Sequence, residues 1–160
     1  METHRRNREK ICKIQEADMT EANMKLKIKL DDGAYLPERA HPTDAGIDLK
    51  STVDAWIHPG EYTMIDTGVH VQIPVGYVGQ MTSKSSLMAK ALTSRGTIDA
   101  GYTGSIRVIL FNHGKEGYKV SKGDKISQLV IVPIETPEIE IVSELEETER
   151  GDNGFGSTGR

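Results

Sequence analysis

A chain of 160 residues can bury one core without disulfide staples and is short for two ordinary domains. Its single cysteine, Cys12, excludes an internal disulfide and points to a reducing, intracellular compartment, and no apolar run is long enough to span a bilayer. A formal net charge of −4 argues against general nucleic-acid binding, where a basic face is expected.

Residues 1–23 mix five bases with five acids and carry at most a weak helical stripe at Ile11, Ile14 and Met19, with no apolar core of a signal peptide. A strand pattern, Lys25-Leu26-Lys27-Ile28-Lys29-Leu30, follows Met24 at once. Residues 1–23 are therefore expected to be an appended, mobile segment unnecessary for activity, and residues 24–149 to form the domain.

Asp31-Asp32-Gly33 reads as a turn and residues 37–43 as a polar loop with two prolines. Extended runs follow over residues 47–50, 53–57, 62–65, 69–73 and 78–82, punctuated by Pro59-Gly60 and Pro74-Val75-Gly76. Only residues 86–92 look helical, with Ser85 or Ser86 placed to cap the free amides. Further strands are expected over 106–111, over 126–132 after the turn at Lys122-Gly123-Asp124, and over 138–142. Many short strands with close turn signals predict an all-β barrel or sandwich.

Charge is uneven. Between Lys84 and Arg107 four bases face one acid, Asp99, whereas residues 135–149 hold seven glutamates and no base. A local positive field in an acidic chain suits a small polyanion better than a duplex.

The stretch from Gly96 to Asn112 carries the most chemistry. Ile106, Val108 and Leu110 alternate with Arg107, Ile109 and Phe111 as a strand, and the preceding Asp-Ala-Gly-Tyr-Thr-Gly reads as the turn of a β-hairpin whose glycines permit positive φ. Asp99 at the lip could orient a water, and Tyr102 could cover the apolar part of a ligand; an aspartate before such a turn also commonly caps its own backbone. The last eleven residues hold four glycines, two arginines, a Ser-Thr pair and Phe155. That composition describes a flexible terminus, and equally a lid whose amides and arginines meet phosphates while a phenyl stacks on a base.

Five patches, Asp44-Ala45-Gly46-Ile47-Asp48-Leu49, Ser83-Lys84-Ser85-Ser86-Leu87, Gly96-Thr97-Ile98-Asp99-Ala100-Gly101-Tyr102, Gly123-Asp124-Lys125-Ile126-Ser127-Gln128-Leu129 and the tail from Arg150, resemble in order and spacing the trimeric deoxyuridine triphosphate nucleotidohydrolases, or dUTPases. The resemblance spans residues 25–160 and implies a distorted β-barrel or jelly-roll in a homotrimer, with each active site shared by three subunits. It implies Mg²⁺-dependent hydrolysis of dUTP to dUMP and pyrophosphate, which keeps uracil out of DNA and supplies dUMP for dTMP synthesis, in a soluble cytoplasmic enzyme without nucleic-acid or membrane partners.

By the same resemblance Asp99 would activate the attacking water and Tyr102 would lie under the deoxyribose. Gly96, Thr97, Ile98 and Arg107 would read uracil through the backbone, with Thr93 where many members place an asparagine on the base. Lys84, Ser85 and Ser86 would bind phosphate oxygens, Asp48 and Gln128 would order the metal's water shell, and Gln128 would also approach the phosphates. Residues 150–160 would be a lid arm, with Arg150, Phe155, Gly156, Ser157 and Thr158 closing over a neighbour's site. Lys84 stands where the family most often has arginine, keeping the charge without the bidentate fork. Two rivals remain: a dCTP deaminase of the same fold, which would release ammonia, and a nucleotide-responsive binding protein that signals to a partner.

Overall fold

The computed structural model describes residues 25–149 with 151 and 152, so the segment 1–23 and the arm residues Arg150, Phe155, Gly156, Ser157 and Thr158 lie outside the described residues. The described chain is almost entirely β, with nine strands and one short helix. Strands β1 (Lys27–Leu30), β2 (Ile47–Lys50), β4 (Tyr62–Gln72), β5 (Tyr77–Thr82), β6 (Leu92–Ile98), β7 (Ser105–Asn112) and β9 (Lys125–Pro133) form one curled antiparallel sheet in the order β1-β4-β7-β6-β5-β9-β2. Strands β3 (Ala55–Ile57) and β8 (Tyr118–Val120) form a separate pair. No helix of the described residues is long and apolar enough to cross a membrane.

Period-two patterning places the core. In β7 the alternation is as the sequence predicts, with Ile106, Val108 and Leu110 fully buried and Arg107 and Phe111 exposed. Ile65, Thr67, Val69 and Val71 do the same in β4, and Leu49, Leu92, Ile126 and Leu129 complete the inner face. Each such aliphatic side chain contributes about 1.5–3 kcal/mol by leaving water.

Four expectations are corrected. The runs 62–65 and 69–73 are one strand, because a bulge between Asp66 and His70 carries the chain across the polar middle. Gly68 takes φ +65° there and donates its N–H to Asp66 Oδ1 at 3.0 Å, while the Thr67 hydroxyl donates to the Ile106 carbonyl at 2.7 Å. The helix is a single turn, α1 (Ser85–Met88), whose N-cap is Lys84 without a side-chain cap, so neither Ser85 nor Ser86 caps it. Ala91, at φ +58°, reverses the chain and sends Leu92 into β6 instead of a last helical turn. Residues 138–142 form no strand, and Ile139 and Ile141 stand 96% exposed with no sheet to pair with.

Candidate active site

Strand β6 changes partners halfway along. Leu92, Thr93 and Ser94 pair with Asn112, Phe111 and Leu110 of β7, whereas Arg95 to Ile98 pair with β5 from Thr82 to Gly79. Beyond Ser94 the two hairpin strands therefore separate, leaving backbone groups on their facing edges without ladder partners. The opening is a slot of about 420 Å³, lined by Gly96, Thr97, Ile98, Asp99, Tyr102 and Arg107, with Met81 and Ile109 also on its walls.

Asp99 follows β6 at the lip, exposed, and its carboxylate has no hydrogen-bond or ion-pair partner among the described residues. It does not cap its own backbone. Its carbonyl instead accepts the Tyr102 N–H at 3.0 Å, and the Tyr102 hydroxyl donates to the Ser105 carbonyl at 2.9 Å, folding the ring across the loop. The loop reverses without positive φ at Gly101 or Gly104, contrary to expectation. Gly104 leaves room for the Tyr102 ring: a Cβ there would approach Tyr102 Cζ to 2.6 Å and the ring would have to shift.

The start of β7 is braced from β4. The Ser105 hydroxyl donates to Asp66 Oδ1, and Arg107 Nε lies 3.4 Å from Asp66 Oδ2. The bond from Ser105 first, then the Gly68 amide, holds the Asp66 carboxyl below the usual carboxylate range.

A second cluster sits across the sheet. Asp48 in β2 is 3% exposed and is ion-paired with Lys84 through Oδ1 and with Lys125 through Oδ2, the latter at 2.7 Å. Burial alone would raise its carboxyl, but the hydrogen bonds and charges of Lys125 and Lys84 outweigh that and hold it below the usual range; Asp48 in turn raises Lys125. With two cations on one anion the cluster carries a net +1, suited to receiving a phosphate. Gln128 pairs with Asp48 across β2 and β9, and its amide donates to the Ser83 carbonyl at 3.3 Å. Ser85 and Ser86 are exposed beside it at the start of α1. Lys125 was not among the sequence candidates, although it stands three residues before Gln128 in a motif that was.

The donor set bears on Mg²⁺. No group of three His, Cys, Asp or Glu side chains among the described residues could ligate a metal directly. Asp48 Oδ2 is buried, and its neighbour is Lys125 Nζ at 2.7 Å. One carboxylate with a spare lone pair and one amide fit a cation that keeps its waters and takes its remaining ligands from phosphate oxygens.

The slot and the lysine cluster stand apart in one chain. Asp48, Gln128, Thr82 and Arg95 face one another across four neighbouring strands, and Asp99 is four residues further along β6. Strand spacing and rise put Asp99 roughly 19 Å from Asp48 along the sheet. Thr93 is brought to neither: it pairs with Phe111 and its hydroxyl meets His113 Nε2 at 2.8 Å.

A family model described as dUTPase matches residues 32–159. The deoxyuridine 5'-triphosphate nucleotidohydrolase of Clostridium tetani is 47% identical over 146 residues, covering 89% of this chain and all of that protein. Its namesake from Clostridium acetobutylicum is 47% identical over 141 residues, covering 86% and 97%. Among solved structures, the dUTPase of Staphylococcus bacteriophage 80alpha with dUpNHpp superposes with TM-score 0.80 at 38% identity, over 86% of this chain and all of that one. A mutant dUTPase from phage phi11 of S. aureus, described with a structural Mg(II) ion, gives TM-score 0.71 at 37% identity over 78% and 100%. These matches favour the dUTPases over the deaminase and the signalling protein. With the family model spanning most of the sequence, relatives near half identical over nearly their whole length, and a shared jelly-roll fold, the chain belongs to the dUTPase family.

Proposed function

We propose that the protein hydrolyses dUTP to dUMP and pyrophosphate. The observation that carries this reading is the parting of β6 from β7 with the unpartnered Asp99 carboxylate at its lip. The facing strand edges would offer amides and carbonyls to the polar edge of a pyrimidine much as another strand would. Tyr102, which lines the slot, would pack its ring against the sugar. Asp99 accepts a hydrogen bond from a water and takes up its proton as the oxygen attacks the α-phosphorus; the P–O bond to the bridging oxygen breaks and pyrophosphate leaves.

Asp48 and Gln128 would hold Mg²⁺ through water, and the bound ion supplies charge neutralisation along the phosphates. Lys84 and Lys125 share their charge between Asp48 and the phosphate oxygens, with Ser85 and Ser86 alongside. These groups stand roughly 19 Å from Asp99 along the sheet of one chain, and in a homotrimer a neighbouring subunit's cluster would complete each slot. The exposed Ile139, Ile141 and Leu145, on the irregular segment beyond β9, offer apolar surface that such an assembly would cover. Residues 150–160 would close as an arm over the loaded site; the family match running to residue 159 supports counting them in the same unit. Residues 1–23 remain an extension outside the catalytic domain. The substrate and the lone Cys12 fit an intracellular setting.

The test is pyrophosphate release with Mg²⁺ from dUTP, dCTP, dTTP and UTP. Release confined to dUTP is expected; ammonia from dCTP, or no turnover of any, would overturn the reading.

A further inference from the structure

His70 lies in the β4 bulge region with its side chain 20% exposed, and both ring nitrogens are engaged. Nε2 is 3.0 Å from Asp31 Oδ2, and Nδ1 is 2.8 Å from the carbonyl oxygen of Thr103. A carboxylate and a peptide carbonyl have no proton to give, and a neutral imidazole has one N–H. Both contacts are hydrogen bonds only when the ring is the imidazolium. Thr103 follows Tyr102 directly and stands four residues after Asp99, so the bond ties the loop carrying both groups to β4.

We propose that doubly protonated His70 is a positioning residue for the active-site loop: it pins the Thr103 carbonyl, and loss of one ring proton releases the loop. The remaining proton would stay on Nε2, where the charged acceptor holds it more strongly. The Nδ1 lone pair would then face the Thr103 oxygen at hydrogen-bond distance, turning an attraction into a repulsion. The other braces on the loop, from Ser105 to Asp66 and from Tyr102 to Ser105, do not involve the His70 ring.

The groups facing His70 favour the charged ring on balance. Asp31 favours it. Lys29, directly across on β1 with Nζ 3.6 Å from Asp31 Oδ1, opposes it. Across on β7 stands the Ser105 hydroxyl, already given to Asp66, whose charge is also matched by Arg107. The Asp31 bond first, then the Thr103 carbonyl, raise His70 above its ordinary value, and the Asp31 carboxyl is lowered in turn, chiefly by its bond to His70. A raised histidine means the clamp is present at low pH and is lost as pH climbs through that raised value.

This inference rests on the hydrolase reading for its consequence, but its first test needs no turnover. In the full chain, the His70 ring proton is titrated by NMR, and the hydrogen-exchange protection factor of the Tyr102 amide is followed over the same pH range. The ring is expected to titrate above 6.5, with protection falling about tenfold as it does so. Asp31→Asn should move both curves to lower pH together, and His70→Gln should leave low protection at every pH. The kcat/KM for dUTP should show an alkaline fall that shifts down in Asp31→Asn and is absent in His70→Gln. A ring titrating at or below 6.5, protection unchanged through its titration, or an alkaline fall unmoved by Asp31→Asn would overturn the proposal. Absence of dUTP hydrolysis in all three proteins would sink the hydrolase reading and leave the NMR result to decide the clamp.

Discussion

The Tyr102 amide donates to the Asp99 carbonyl at 3.0 Å, so the ring and the carboxylate belong to one turn, while the carboxylate itself is left unpartnered. Backbone fixes where Asp99 sits, and no side chain competes for its charge. That combination is what a water-activating acid requires.

Replacing Asp99 with Asn keeps the shape and removes the base. Turnover of dUTP should fall about 10² to 10⁴-fold, while the affinity for a non-hydrolysable dUTP analogue stays within about threefold. Calorimetric titration beside a steady-state assay checks both; undiminished turnover would refute the assignment.

Lys84→Ala should cost both stability and rate. It leaves the buried Asp48 with Lys125 alone, which should lower stability by about 1–2 kcal/mol, discounted from the buried-pair range because Lys84 is partly exposed. The same variant should raise KM for dUTP, as one cation is lost from the phosphate cluster. Urea melts and kinetics read the two effects separately.

Asp48 also sets a pH dependence. Its folded carboxyl is held below the unfolded value, so it stabilises the fold above the unfolded pKa and that contribution is lost as pH falls through the lowered value. Thermal melts from pH 7 down to pH 3 should show a decline in the native chain that is shallower in Asp48→Asn, although the variant starts less stable at pH 7. Parallel declines would show that other carboxyls govern acid unfolding.

Ile139→Asp with Ile141→Asp tests the assembly. Both side chains are 96% exposed in one chain, so the charges cost the isolated fold little. Sedimentation should shift from trimer toward monomer and activity should fall with it. A trimer unaffected by both charges would place the interface elsewhere.

Ending the chain at Glu149 should lower turnover about a hundredfold with little change in melting temperature, because the removed residues bring almost nothing apolar to a core. Phe155→Ala alone should weaken catalysis by roughly 1–3 kcal/mol if the phenyl stacks on the base. A large drop in melting temperature on truncation would make the tail structural.

What the sequence shows and hides follows from distance along the chain. The alternation of Ile106, Val108 and Leu110, and the turns at Gly33, Gly76 and Gly123, are local patterns, and the structure has them where they read. The exchange of partners by β6 is not local. Whether Gly96 pairs with Val108 in its own hairpin depends on how the whole sheet curls; it pairs with Met81 on its other edge, and the pairing to β7 stops at Ser94. The Lys84–Asp48–Lys125 cluster joins residues up to 77 positions apart in the chain. His113, 20 positions beyond Thr93, takes the hydroxyl that the motif position suggests for the base. Residues 138–142 alternate like a strand, yet they pair with no strand among the described residues, and alternation alone supplies no partner.

The central claim is that a water held by Asp99 attacks the innermost phosphorus. Hydrolysis of dUTP in water enriched in ¹⁸O, followed by mass spectrometry of both products, tests it most directly. The label is expected in the phosphate of dUMP and not in pyrophosphate; label in pyrophosphate would mean that another phosphorus is attacked.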